Sequence, residues 1–270
     1  MSQTETTSPL ITFDHVAKSF DGSHGAQLGP AVDDVSLDVK RGEFLAIVGG
    51  SGAGKSTLLK LVNRLIEADR GTITVDGEDV RGSDPVSLRR RIGYVFQTGG
   101  LFPHMSVAAN IGITPKLLGE APQRIAARVD ELLDLVRLAR AEFRDRLPHE
   151  LSGGQRQRVG VARALAASPK IVLMDEPFGA LDPLTRDVLS EDYRSLHDRL
   201  GLTTLMITHD MTEAILLADR IAVMRGGKLL AQGTAKALAQ SRDAYVGELL
   251  STPRRQAERL NTLLPRGGGR

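Results

Sequence analysis

Polar and apolar residues alternate in Leu10–His15 and Val35–Val39, the period of half-buried strands. Glu43–Val48 is almost wholly apolar and ends in glycines, as a strand covered on both faces would. The Gly- and polar-rich stretch Asp21–Pro30 between the first two strands reads as a hairpin loop. A helix is expected from Lys55 through Leu65, then short strands at Thr72–Val75 and Ile92–Phe96. Ala121–Leu138 sets Ile125, Val129, Leu132, Leu133 and Val136 on one helical face, with Arg124, Arg128, Glu131 and Asp134 largely elsewhere. Gln155–Ala166 predicts a second helix. Strands at Ile171–Met174, Thr204–Thr208 and Arg220–Met224 then alternate with helices at Leu184–Leu200 and Met211–Ala218. That alternation predicts an α/β domain whose parallel sheet is covered on both faces. Gly226-Gly227 predicts the turn of a last hairpin around Arg225–Leu230. The domain therefore spans 10–250, after a polar, disordered leader at 1–9. It is followed by a basic, flexible tail at 251–270, where Pro253–Arg270 carries five Arg against one Glu.

Composition narrows the classes without choosing among them. The chain has 270 residues, 41% hydrophobic and 25% charged, enough for a sizeable core. A net charge of +2 makes no case for a nucleic-acid partner. The absence of cysteine rules out disulfides and thiolate metal sites and fits a reducing compartment. Met1–Pro9 has no apolar signal core, and no apolar run approaches the roughly 20 residues that span a bilayer. If the protein serves a membrane, other chains are expected to cross it.

Two motifs carry phosphate chemistry. Gly49-Gly50-Ser51-Gly52-Ala53-Gly54-Lys55-Ser56, followed by Thr57, fits G-x-x-x-x-G-K-S/T between an apolar strand and a helix, the context this loop requires. Glycines let the backbone curl so that successive N–H groups face a phosphate, and the helix N-terminus adds its positive end. Lys55 is expected on the β- and γ-phosphates of ATP and the Ser56 hydroxyl on Mg²⁺. Ile171–Glu176 is an apolar strand that delivers two carboxylates to the sheet edge where ligands bind in such folds. Asp175 is expected to hold Mg²⁺, mostly through water, and Glu176 to take a proton from attacking water. Alone, an Asp-Glu-Pro turn would mean little; beside a phosphate loop it points to hydrolysis.

A third string is more specific. Leu151-Ser152-Gly153-Gly154-Gln155 would arise by chance in on the order of one in several thousand such chains. It stands at a helix start, with Ser152 as a cap and two glycines whose N–H groups are open to an anion. This resembles the signature motif of ABC ATPases, and the likeness runs from Phe13 to about Leu250 with motifs in family order. The resemblance implies a P-loop NTPase (RecA-like) core, an antiparallel β subdomain, and an α-helical signature subdomain inserted at about 98–168.

The family's roles carry over position by position. Phe20 falls where an aromatic ring stacks on adenine, usually Tyr, and a Phe face serves as well. Gln97 matches the glutamine that touches Mg²⁺ or the lytic water. Asp182 matches the aspartate that couples the two sites, and His209 the histidine on the γ-phosphate. The resemblance further implies a dimer with a second copy, ATP being held between the phosphate loop of one and the signature of the other. It implies separate transmembrane permease subunits, an indirectly linked substrate-binding protein, no nucleic acid, and a peripheral position at the cytoplasmic face of the cell membrane.

A narrower likeness lies in Tyr94–Val107, Pro115–Gly119, Arg128–Leu135, Phe143–Arg146 and Pro148–Ser152 together. These resemble the ATPases of osmoprotectant importers, which handle quaternary amines such as glycine betaine, choline and carnitine. Many of those carry C-terminal CBS domains; the stretch after the last predicted helix is too short for one, so regulation through such domains is not expected here. An ATPase of another importer or of a split exporter is the alternative. A non-transport ABC ATPase is disfavoured, since one signature, no heptad run and no cysteine are present.

Overall fold

The computed structural model describes residues 8–20, 29–97 and 100–263. The expected leader up to residue 7, most of the loop Asp21–Pro30, and the tail beyond Leu263 lie outside them.

β1 (Pro9–Lys18), β2 (Val32–Lys40), β4 (Arg70–Val75) and β5 (Glu78–Asp79) make an antiparallel sheet in the order β2-β1-β4-β5. β3 (Phe44–Val48), β6 (Ile92–Val95), β7 (Ile171–Asp175), β8 (Thr203–Thr208), β9 (Arg220–Arg225) and β10 (Lys228–Gly233) form a second sheet in the order β10-β9-β3-β8-β7-β6. All its pairings are parallel except the closing β9–β10 hairpin. Gly226 and Gly227 turn that hairpin with φ of 56° and 81°, the left-handed pair a two-residue turn demands.

Period-two side chains sort the parallel strands between two cores. Phe44, Ala46 and Val48 face one core, together with Val172, Met174 and Met206. Leu45 and Ile47 face the other, with Leu173, Leu205 and Ile207. The first core is completed by α4 (Pro122–Leu135), α6 (Gly153–Leu165), α7 (Pro183–Leu200) and α8 (Met211–Leu217). The second takes the antiparallel sheet, α1 (Lys55–Val62) and α2 (Pro85–Arg91). Between β6 and β7 the chain runs through α3 (Val107–Leu117), α4, α5 (Arg140–Phe143), a single 3-10 turn at Pro148–Glu150, and α6. Fully buried Asn110 in α3 fastens the start of this region: its amide donates to the carbonyls of Phe102, Met105 and Ser106 and accepts from the Phe102 N–H.

Three expectations shift. α1 ends at Val62, because Asn63 already has the φ of −86° and ψ of 8° of a cap and Arg64 turns left-handed. α3 was not anticipated: Ser106 caps it by accepting from Ala109 N–H, but Gly112 and Pro115 inside it dilute the helical pattern. The chain does not lose structure at Pro253 either. After the short α9 (Ala235–Leu238), α10 runs unbroken from Ala244 to Leu263. Ser251 and Thr252 hydroxyls donate to the Glu248 carbonyl in the turn before Pro253, and Arg254 pairs with Glu258 just after it. Among the described residues no helix is long and apolar enough to cross a membrane.

Candidate functional site: a phosphate-loop cavity at the strand ends

Four parallel strands deliver their C-terminal ends to one place. The loop 49–54 leaves β3, Gln97 follows β6, Asp175 and Glu176 end β7, and His209 follows β8. Register brings them level, since Val48 pairs with Thr208, Val95 with Met174, and Asp175 with Ile207. They border a cavity of about 440 Å³ lined by Ala31, Ser51–Thr57, Gln97, Glu176 and His209. A ligand crevice at this edge is the rule for such sheets.

The loop's shape is held by contacts that exclude a side chain. A Cβ on Gly49 would lie 2.1 Å from the Met224 carbonyl oxygen, and one on Gly54 2.0 Å from that of Ala31. Inside the curl, the Lys55 ammonium donates to the carbonyls of Gly49 and Gly50 at 2.8 and 2.9 Å. Burial pulls this ammonium below the usual lysine range, against the carboxylates of Glu176 and Asp175. A cation so desolvated gains from an anion entering the cavity.

Beside it, the Ser56 hydroxyl donates to Asp175 Oδ1 at 3.0 Å. Burial raises the Asp175 carboxyl above the usual range even though Ser56 stabilises its charged form. Among the described residues no group of three His, Cys, Asp or Glu could cage a metal ion. One hydroxyl and one half-satisfied carboxylate fit instead a small hard cation that keeps most of its waters and arrives with phosphates, as magnesium does.

Glu176 occupies a left-handed backbone position, φ 47°, which costs a non-glycine residue about 1–2 kcal/mol. Its N–H donates to the Ile207 carbonyl at 2.9 Å, which ties the strained residue to β8. Glu176 Oε2 accepts from Gln97 Nε2 at 3.1 Å and lies 3.3 Å from His209 Nδ1. One carboxylate oxygen is thus shared by residues from two other strand ends.

The remaining sequence candidates stand apart. Ser152, Gly153, Gly154 and Gln155 open α6 but do not line the cavity. Ser152 accepts from the Gln155 N–H while the Gln155 side chain accepts from the Ser152 N–H, a closed capping box. Asp182 caps α7 by accepting from the Thr185 N–H. These two helix starts touch: a Cβ on Gly154 would meet Leu181 Cδ2 at 3.2 Å. Phe20 is half-exposed outside the cavity lining, with the Lys18 ammonium 5.6 Å from its ring centre. Gly49 and Gly50 shape the loop from behind without lining the cavity. Sequence reasoning missed Ala31, an apolar wall with no chemical signal of its own. It also missed Tyr245, whose hydroxyl accepts from the Gly50 N–H.

The chain resembles known proteins along most of its length. A family profile described as ABC transporter matches residues 32–179. The choline transport ATP-binding protein OpuBA of Bacillus subtilis is 48% identical over 91% of this chain and 63% of its own length. The glycine betaine uptake system ATP-binding protein YehX of Escherichia coli is 50% identical over 83% of this chain and 70% of its own. Among solved structures, a dimeric post-hydrolysis state of the ATP-binding cassette MJ0796 bound to ADP and Pi superposes with a TM-score of 0.77. It is 31% identical and covers 83% of this chain and 98% of that one. The chain spans less than two thirds of the length of several of the curated relatives it matches. Sheet order, phosphate loop and these likenesses agree on the P-loop ABC ATPase fold, and the chain belongs to the ABC transporter family.

Proposed function

We propose that this chain is the ATP-hydrolysing subunit of an ABC importer, working as one half of a nucleotide-sandwich dimer. The observation that carries the reading is the split between its parts. Lys55, Ser56, Gln97, Asp175, Glu176 and His209 converge within one cavity and its wall, whereas the Ser152 signature stands outside it at the start of α6. A chain built this way holds two half-sites and completes neither alone.

In this reading the loop N–H groups and Lys55 bind the phosphates of ATP. Ser56, Asp175 and Gln97 would hold Mg²⁺, which when bound would neutralise phosphate charge. Glu176 accepts the proton of the attacking water, and Gln97 fixes the carboxylate's orientation through its 3.1 Å bond. His209, whose Nδ1 lies 3.3 Å from the same oxygen, is assigned to the γ-phosphate. Ser152 and the glycines of a second copy close over the phosphate, and Asp182 links the two sites. Once hydrolysis removes the γ-phosphate the dimer loses those contacts and opens, which drives permease subunits that supply the membrane spans. The half-exposed Phe20 ring is assigned to stack on adenine.

The relatives named for choline and glycine betaine support quaternary-amine osmoprotectants as cargo, delivered by a substrate-binding protein, with this chain at the cytoplasmic face. Two experiments separate the layers. Purified chain should release phosphate from ATP only with Mg²⁺ and not as Lys55→Ala; turnover by that variant would remove the loop assignment. Cells lacking the gene should lose glycine betaine or choline uptake at high osmolarity and regain it with wild type alone. Unchanged uptake, with no redundant system, would leave the ATPase and sink the cargo.

A further inference from the structure

The phosphate loop is gripped from outside as well as from within. Gly50 N–H donates to Tyr245 Oη at 3.0 Å across 195 residues of sequence, and the Gly50 carbonyl accepts from Lys55 Nζ at 2.9 Å. One glycine therefore joins the buried ammonium of the cavity to the first turn of α10.

Tyr245 is itself held firmly. Asp243 Oδ1 accepts from the Tyr245 and Val246 N–H groups at 2.9 and 3.0 Å, which fixes the start of the helix. Val246 is fully buried, and the Tyr245 ring packs on the core cluster that includes β3 and β7. The Arg225 guanidinium covers the ring, 4.7 Å from its centre. Neighbouring Met224 supplies the carbonyl that abuts Gly49, so the end of β9 and the start of α10 bracket the first two residues of the loop. α10 also packs on α8, the helix that begins two residues after His209.

We propose that Tyr245 is a positioning residue for the phosphate loop, through which the seating of α10 sets nucleotide affinity. The proposal rests on the reading of this cavity as an ATP site. The Gly50 N–H is committed to a neutral hydroxyl, so it sets the curvature of the loop and leaves the later N–H groups for phosphate. Losing the bond lets Gly50 rotate and loosens both the loop and one of the two carbonyls that hold Lys55.

Tyr245→Phe in the full chain removes the hydroxyl and keeps the ring on Arg225. Amide exchange at Gly50, followed by NMR without nucleotide, should accelerate markedly while the amides of β3 keep their protection. The Kd for a fluorescent ATP analogue and the KM for ATP should rise together by roughly two- to tenfold, the range of one net hydrogen bond, with kcat changed far less. Lower thermal stability with unaltered Gly50 exchange and Kd would mean that Tyr245 only packs α10, and the proposal would fail. Wild type that binds no nucleotide would instead overturn the ATP reading, and Gly50 exchange would still decide whether Tyr245 holds the loop.

Discussion

Gly54→Ala tests whether the loop's shape is imposed by close backbone approach. Gly54 has φ 94°, and a Cβ there would stand 2.0 Å from the Ala31 carbonyl oxygen and 3.2 Å from its carbon. Gly52, in the same loop with φ 74°, would place its Cβ in open space. Both substitutions put an alanine in a left-handed position, costing about 1–2 kcal/mol each. Only the first forces backbone against backbone, which adds about 1–3 kcal/mol. Gly54→Ala should therefore destabilise the nucleotide-free protein by about 2–5 kcal/mol and Gly52→Ala by about 1–2 kcal/mol. Urea unfolding at equal m-values reads the difference directly. The reasoning is refuted if the two variants unfold at the same urea concentration, since Ala31 then has room to move and the contact fixes nothing.

Burial raises the Asp175 carboxyl, so the folded chain retains a proton that the unfolded chain has lost as pH climbs above 3.8; Asp175 thus lowers stability at neutral pH, and the cost disappears in acid. Asp175→Asn should raise the melting temperature of the nucleotide-free protein at pH 7 by a degree or more while weakening Mg²⁺-dependent ATP binding; an unchanged or lower melting temperature would contradict this. Ser152→Arg places a long cation at a helix start outside the cavity, so equilibrium titration should find ATP binding near wild type while phosphate release falls at least tenfold, and full turnover would mean that the signature does not act on a neighbouring copy.

The candidate cavity was legible because its parts are local. Phe44–Thr57 and Ile171–Glu176 each carry strand, turn and candidate site side chains in one short string, and the parallel sheet then brings them together. The three central strands β3, β8 and β7 were legible for the same reason, being apolar runs buried on both faces. What escaped depends on partners distant in sequence or on features that dilute a pattern. Nothing at Tyr245 announces a bond to Gly50, because the chain between them holds most of the fold. Ala31 matters only for where its backbone lies. Pro253 and an arginine-rich composition argued for an open tail, yet α10 needs only its first turns seated to carry helix through to Leu263. Quartered glycine and proline hid α3 in the same way, until Ser106 and Asn110 gave it a cap and an anchor.

The central claim is that two copies enclose ATP between loop and signature. Glu176→Gln keeps the side-chain shape and the reach to Gln97 but removes the carboxylate that would take the proton. Sedimentation of this variant at saturating ATP-Mg should show a stable dimer that wild type forms only transiently, and that dissociates when Ser152→Arg is added. A monomer under those conditions, with ATP bound, would contradict the sandwich.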